Sequence, residues 1–166
     1  EARAETHDAL MRANERVLQR TLPLMRNQAA LRMSSRTQPA APPQVGDILN
    51  MRIPGNFSNL CSLQGAHNVG ARVVYVGEHG VMLEDTLAPL RGQIDDLYRQ
   101  VGEEFDNRMW DILLTNFGNP LAMDAQTDNN ERFFMLFSKV VNDMPGGTIA
   151  GFVSTTDFNT PAACAT

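Results

Sequence analysis

The chain has 166 residues, 43% of them hydrophobic and 20% charged, with a formal net charge of −5. This composition suits one core-forming globular domain and excludes disordered, collagen-like and low-complexity classes. No run approaches the ~20 apolar residues that a membrane helix requires, so no membrane span is expected.

Residues 2–22 read as a helix, because Leu10 and Val17, and Met11 and Leu18, recur at seven-residue spacing with Arg and Glu between them. Pro23 suits the first turn of a second short helix over 23–33. Pro39, Pro42 and Pro43, set among Ser and Gln, mark 34–46 as an extended linker. The chain is thus expected to divide into a helical appendage (1–33), a Pro-rich linker (34–46) and a compact domain (47–166).

From Val45 the period changes to two. Val45, Leu49, Met51 and Ile53 share one face, with Asp47 as the exception, and predict a strand. Residues 54–68 are rich in turn formers, 69–76 predict a strong strand, 77–80 a short hairpin loop and 81–85 the returning strand. Over 93–117, Ile94, Leu97, Tyr98, Val101, Phe105, Met109, Ile112 and Leu113 follow helical spacing, with Asp and Glu among them. Gly102 is a weak point in that helix, and Gly118 and Pro120 end it. A polar loop over 123–131 precedes 132–141, whose apolar run predicts a buried central strand. Residues 148–154 predict a last strand. Strand, hairpin, long helix, strand and strand together predict an α+β fold, a mixed or antiparallel sheet backed by one long helix.

Charge is uneven along the chain. Residues 1–36 hold seven Arg against four acids, and the remainder holds seven basic against fifteen acidic residues. An acidic body argues against nucleic acid as a partner. The basic segment fits either an arm that docks on that body or a solvated helix face.

No familiar active site is complete in these residues. The three histidines, His7, His67 and His79, form no HxH, HxxxH or HExxH pattern, and no GxSxG or phosphate loop occurs. His79 at a hairpin tip is expected to be exposed, and His67 in a Gly/Asn turn to be structural. The carboxylate pairs Asp95/Asp96 and Glu103/Glu104 are neighbours on one helix surface, not partners across a cleft, and predict a solvated face. Asp124, Asp128 and Asn130 form a candidate ion-binding turn, but Asn129 and Met135 stand where an EF-hand needs Gly and Glu. The competing reading is an Asx turn that caps the next strand. Cys61 and Cys164 lie far apart without a CxxC spacing. They fit either one disulfide, worth roughly 4–5 kcal/mol in the chain-entropy model, or two buried thiols.

Several short runs occur in a suggestive order: Ala71 to His79 (ARVVYVGEH), Met82 to Asp85 (MLED), Glu104-Phe105-Asp106, Asn116 to Gly118, then Asp124 and Asp128, Phe134 to Asn142 (FMLFSKVVN), Gly151-Phe152 and Asp157. Together they resemble the N-terminal half of hyicolysin-like secreted bacterial zinc metallopeptidases, over roughly residues 45–160. The resemblance implies a zincin-like N-terminal subdomain in a secreted, periplasmic or cell-surface protein. It implies zinc in the full-length protein, bound by a His-Glu-x-x-His helix downstream of Thr166. No zinc ligand or catalytic residue carries over to this chain, which alone is expected to be inactive and to bind no zinc. The segment Ile149, Ala150, Gly151, Phe152 and Val153 would form the substrate-cleft edge, on which a polypeptide substrate lies by strand addition. The partner is then that substrate or the remaining C-terminal part of the same protein. Two other readings stay open: a non-catalytic exported binding or adhesion module, and a small hydrolase working with Asp or Glu.

Overall fold

The computed structural model describes residues 11, 12, 15, 16, 19, 41–55, 65–121, 130–144 and 149–153. Positions 11, 12, 15, 16 and 19 are helical. The rest of the expected appendage and most of the linker lie outside the described residues, as do His7, Cys61, Cys164, Asp124 and Asp128.

Strand β1 (Ile48–Ile53) alternates as its sequence requires. Ile48, Asn50 and Arg52 are exposed, while Leu49, Met51 and Ile53 turn inward. Asp47 and Val45 fall outside the strand. Asp47 Oδ2 accepts the Gln44 N–H at 2.8 Å and closes a turn in which Gly46 takes φ 97°, a left-handed conformation suited to glycine. Val45 is therefore exposed rather than part of the inward face.

Strand β2 (His67–Val76) pairs antiparallel with β1, β3 (Gly80–Asp85) pairs antiparallel with β2, and β4 (Phe133–Phe137) runs parallel to β3. The order is β1-β2-β3-β4, a mixed sheet in an α+β fold. The β2–β3 register shifts between Val73 and Tyr75. This bulge leaves Val74 as the extra residue and turns both Val74 and Tyr75 toward the helices.

A parallel pair needs a crossover, and a helical run supplies it. Helix α1 (Asp95–Glu104), a π-helical turn (Phe105–Met109) and helix α2 (Trp110–Phe117) follow one another directly. The periodicity predicts one uniform helix here, so the π turn is the departure. It brings Phe105 and Trp110 to the same side, with ring centroids 5.9 Å apart. Gly118, at φ 84°, ends the run, and its N–H donates to the Leu114 carbonyl at 3.2 Å.

Apolar layers lie on both faces of the sheet. On the helix face, Val74 and Met82, with Phe133 and Met135, meet Tyr98, Phe105 and Trp110. On the other face, Ala71, Val73, Val81 and Leu83 pack with Phe134 and Leu136. That second layer continues into Ile53, Val69 and Met144, with Val140, Val141, Ile149 and Phe152 against them. The unbroken apolar run of β4 thus serves both layers alternately.

Two strand expectations need correction. Residues 132–141 do not form one central strand: β4 is short and stands at the edge of the sheet among the described residues, and Ser138 ends it. The Ser138 Oγ accepts the Val140 N–H at 3.2 Å and caps a short helix, α3 (Lys139–Asn142). The strand buried at every residue is β3, including its polar end, Glu84 and Asp85. The last strand expected over 148–154 is irregular throughout its described residues, 149–153. Ile149 and Phe152 anchor that segment in the second layer, and the Ile149 carbonyl accepts from Asn142 Nδ2 at 2.7 Å. Local side-chain packing, not strand pairing, holds it.

Candidate functional site

The bulge in β2 and the π turn each add one residue to a regular element, and the two irregularities face each other. Tyr75, re-aimed by the bulge, donates its hydroxyl to Asp106 Oδ2 at 2.9 Å. Asp106 Oδ2 also accepts the Glu78 N–H at 3.0 Å, and Oδ1 accepts the His79 N–H at 2.9 Å and the Gly80 N–H at 3.1 Å. Four donors therefore converge on one carboxylate. Two glycines make room for this: a Cβ on Gly77 would collide with Asp106 Oδ2, and one on Gly102 would collide with the Tyr75 ring. The weak point at Gly102 in the sequence pattern is thus a seat for Tyr75. Burial, with the Asp106 contact adding to it, pushes the Tyr75 phenol up to about 12.

His79 is not the exposed tip residue expected. Its ring stacks on Trp110 at 4.4 Å with an 18° interplanar angle. Its Nδ1 is buried without a hydrogen bond, 3.8 Å from Asp106 Oδ1. His67 is exposed at the start of β2.

A second polar cluster ties α1 to the sheet. Arg72 of β2 stands opposite Glu84 of β3. Its Nη2 donates to Glu84 Oε2 at 2.5 Å and to Asp95 Oδ1 at 2.6 Å, and its Nη1 donates to Asp95 Oδ2 at 3.0 Å. Glu84 is fully buried and also accepts the Gly92 N–H at 3.1 Å. Hydrogen bonding to Arg72 holds the Asp95 carboxyl below the usual carboxylate range, against the opposing effect of burial. Asp95 is therefore an inward ion-pair partner, not half of a solvated pair. Asp96 and Glu104 do lie on the surface, paired with Arg99 and Arg108. On the other face, buried Asp85 accepts from Ser138 Oγ at 2.5 Å and from the Leu87 N–H at 2.8 Å.

Of the candidate ion-binding turn, Asn130 is described. It is buried, and its Oδ1 accepts the Arg132 N–H at 2.9 Å, the contact of an Asx turn at the start of β4. In the proposed cleft-edge segment, Ala150, Gly151 and Val153 are exposed, while Ile149 and Phe152 are half-buried.

Among the described residues, no group of three or more His, Cys, Asp and Glu side chains is placed to hold a metal ion. The chemistry of the nearest grouping does not suit one either. Four donors occupy the acceptor positions of Asp106, leaving no lone pair for a cation beside His79. Sequence reasoning missed both carboxylate clusters. The signals were present: an Arg inside an apolar strand, a polar end on the returning strand, and a glycine in mid-helix. No described helix is long and apolar enough to cross a membrane. No protein-family model matches this chain, and no curated protein or solved structure matches it either.

Proposed function

We propose that this domain is the sheet-bearing front part of a secreted zinc metallopeptidase, zincin-like in architecture, and that its chemistry resides in polypeptide downstream of Thr166. The observation that carries the reading is the place of β4 at the end of the strand order among the described residues, next to β3. An edge strand offers backbone groups to an extended peptide. Residues 149–153 follow it, anchored by Ile149 and Phe152 and presenting Ala150, Gly151 and Val153 outward. On this reading they border the cleft in which a polypeptide substrate lies. On this reading a downstream His-Glu-x-x-His helix would provide two histidine ligands to hold zinc and the glutamate base that activates water. This chain's own residues would hold and orient the substrate.

The test is to produce the protein to its natural stop and measure bound zinc and hydrolysis of an unfolded polypeptide. Stoichiometric zinc and chelator-sensitive cleavage are expected, with neither in the 166-residue chain. A natural product without a His-Glu-x-x-His sequence after Thr166 refutes the proposal. A second reading, a non-catalytic exported binding module, is favoured by the exposed Leu97, Ile112 and Phe117 on the helical run. It predicts a natural product with neither zinc nor cleavage.

A further inference from the structure

The hairpin loop 77–80 is gripped from two sides. On the helix side, Asp106 accepts the backbone N–H groups of Glu78, His79 and Gly80. On the strand side, the His79 carbonyl accepts the Phe133 N–H at 2.7 Å, and the Gly77 carbonyl accepts from Arg132 Nε at 3.0 Å. Arg132 Nη1 also donates to the Asn130 carbonyl at 3.2 Å. Inside the loop, the Gly77 N–H donates to the Gly80 carbonyl at 2.8 Å. A continuous set of hydrogen bonds therefore runs from the π turn, through the loop, to the first residues of β4. We infer that Asp106 is a positioning residue that sets the seating of the edge strand β4 through loop 77–80. The functional half of this inference rests on the proposed peptide-binding role of that edge.

The requirement is specific to a carboxylate. Its two oxygens receive four donors, two each. An amide has one acceptor oxygen, and either orientation points its NH2 at a backbone N–H of the loop. Asp106→Asn keeps the size and loses the match. The π turn makes the placement possible, because Asp106 must reach the loop while Phe105 and Trp110 both stay in the core.

Hydrogen exchange on the whole chain tests the coupling. Asp106→Asn should accelerate exchange at 78–80 and, in the same variant, at Phe133–Phe137, by about tenfold or more, the scale set by losing one charge-assisted hydrogen bond. The β1–β2 amides should keep their rates, and Glu103→Gln and Asp111→Asn on the same helical run should change nothing. Tyr75→Phe, a milder variant, should produce the same two-segment pattern at smaller amplitude. Acceleration confined to 78–80, or spread evenly over the sheet, overturns the inference. In the protein extended to its natural stop, Asp106→Asn should raise KM for a polypeptide with kcat little changed. A loss in kcat alone refutes positioning of the substrate strand. A protein that shows the exchange pattern but cleaves nothing instead refutes the metallopeptidase reading.

Discussion

Replacing Arg72 by Met should be among the most damaging single changes outside the apolar core. Glu84 is fully buried beneath the guanidinium, whereas the Asp95 side chain is 29% exposed. Removing Arg72 leaves Glu84 as a buried charge with the Gly92 N–H as its remaining partner. Breaking one side of a buried pair costs about 3–5 kcal/mol. Asp95 regains water in the variant, which places the expected loss near the lower end, about 3 kcal/mol. That is a large share of the roughly 5–15 kcal/mol available to a domain. Urea unfolding should show it as a midpoint lowered by about 1.5 M, for a slope near 2 kcal/mol per M. The double variant Arg72→Met/Glu84→Leu removes the orphaned charge as well and should recover most of the loss, ending within about 1 kcal/mol of the parent. The acid limb adds a second signature. Asp95 has a lowered folded-state pKa, so its stabilisation is present above about pH 4 and is lost as pH falls through the folded value. The Arg72→Met variant should lack that acid-side decline. A single variant costing under about 1 kcal/mol, or a double variant as unstable as the single, would falsify the idea that burial of Glu84 dominates.

Gly102→Ala should destabilise the protein by about 2 kcal/mol despite alanine's better helix propensity, because the new Cβ strikes the Tyr75 ring. A raised melting temperature would refute the close packing. Ser138→Ala removes both the cap of α3 and the hydroxyl that faces buried Asp85, so a loss of about 2 kcal/mol is expected in chemical denaturation. Both tyrosines resist ionisation, Tyr75 up to about 12 and Tyr98 also raised, chiefly by burial. The stabilisation tied to their neutral forms is therefore complete below pH ~10 and is lost as pH rises through the folded values. Phenolate absorbance should rise only together with unfolding, and a reversible titration near pH 10 in the folded protein would contradict this.

The elements legible in the sequence are those fixed by one local pattern. The alternation of β1, the hairpin and the helical spacing over 93–117 depend on neighbours a few positions apart. What was not legible depends on contacts between elements. A helix wheel cannot show that Asp95 turns inward, because the reason is Arg72 on a strand. Nor does helical spacing reveal the π turn, which answers to Asp106 and loop 77–80. The apolar run 132–141 looks like a central strand because β4 and α3 both bury side chains, and only Ser138 marks the change. The polar end of β3 looks like a surface end until its two helical partners are in place.

Glu84 and Asp85 are adjacent in sequence, so they point to opposite faces of the sheet. One is bound to the α1 side and the other to the α3 side. A slip of β3 by a single residue would turn each carboxylate to the wrong face, Glu84 away from the Arg72 side and Asp85 away from the Ser138 side. Such a slip would uncouple two helices at once. The central strand thus works as a keyed shaft: only one axial setting engages both helices. A mispaired register would therefore lose the polar contacts on both faces as well as the packing.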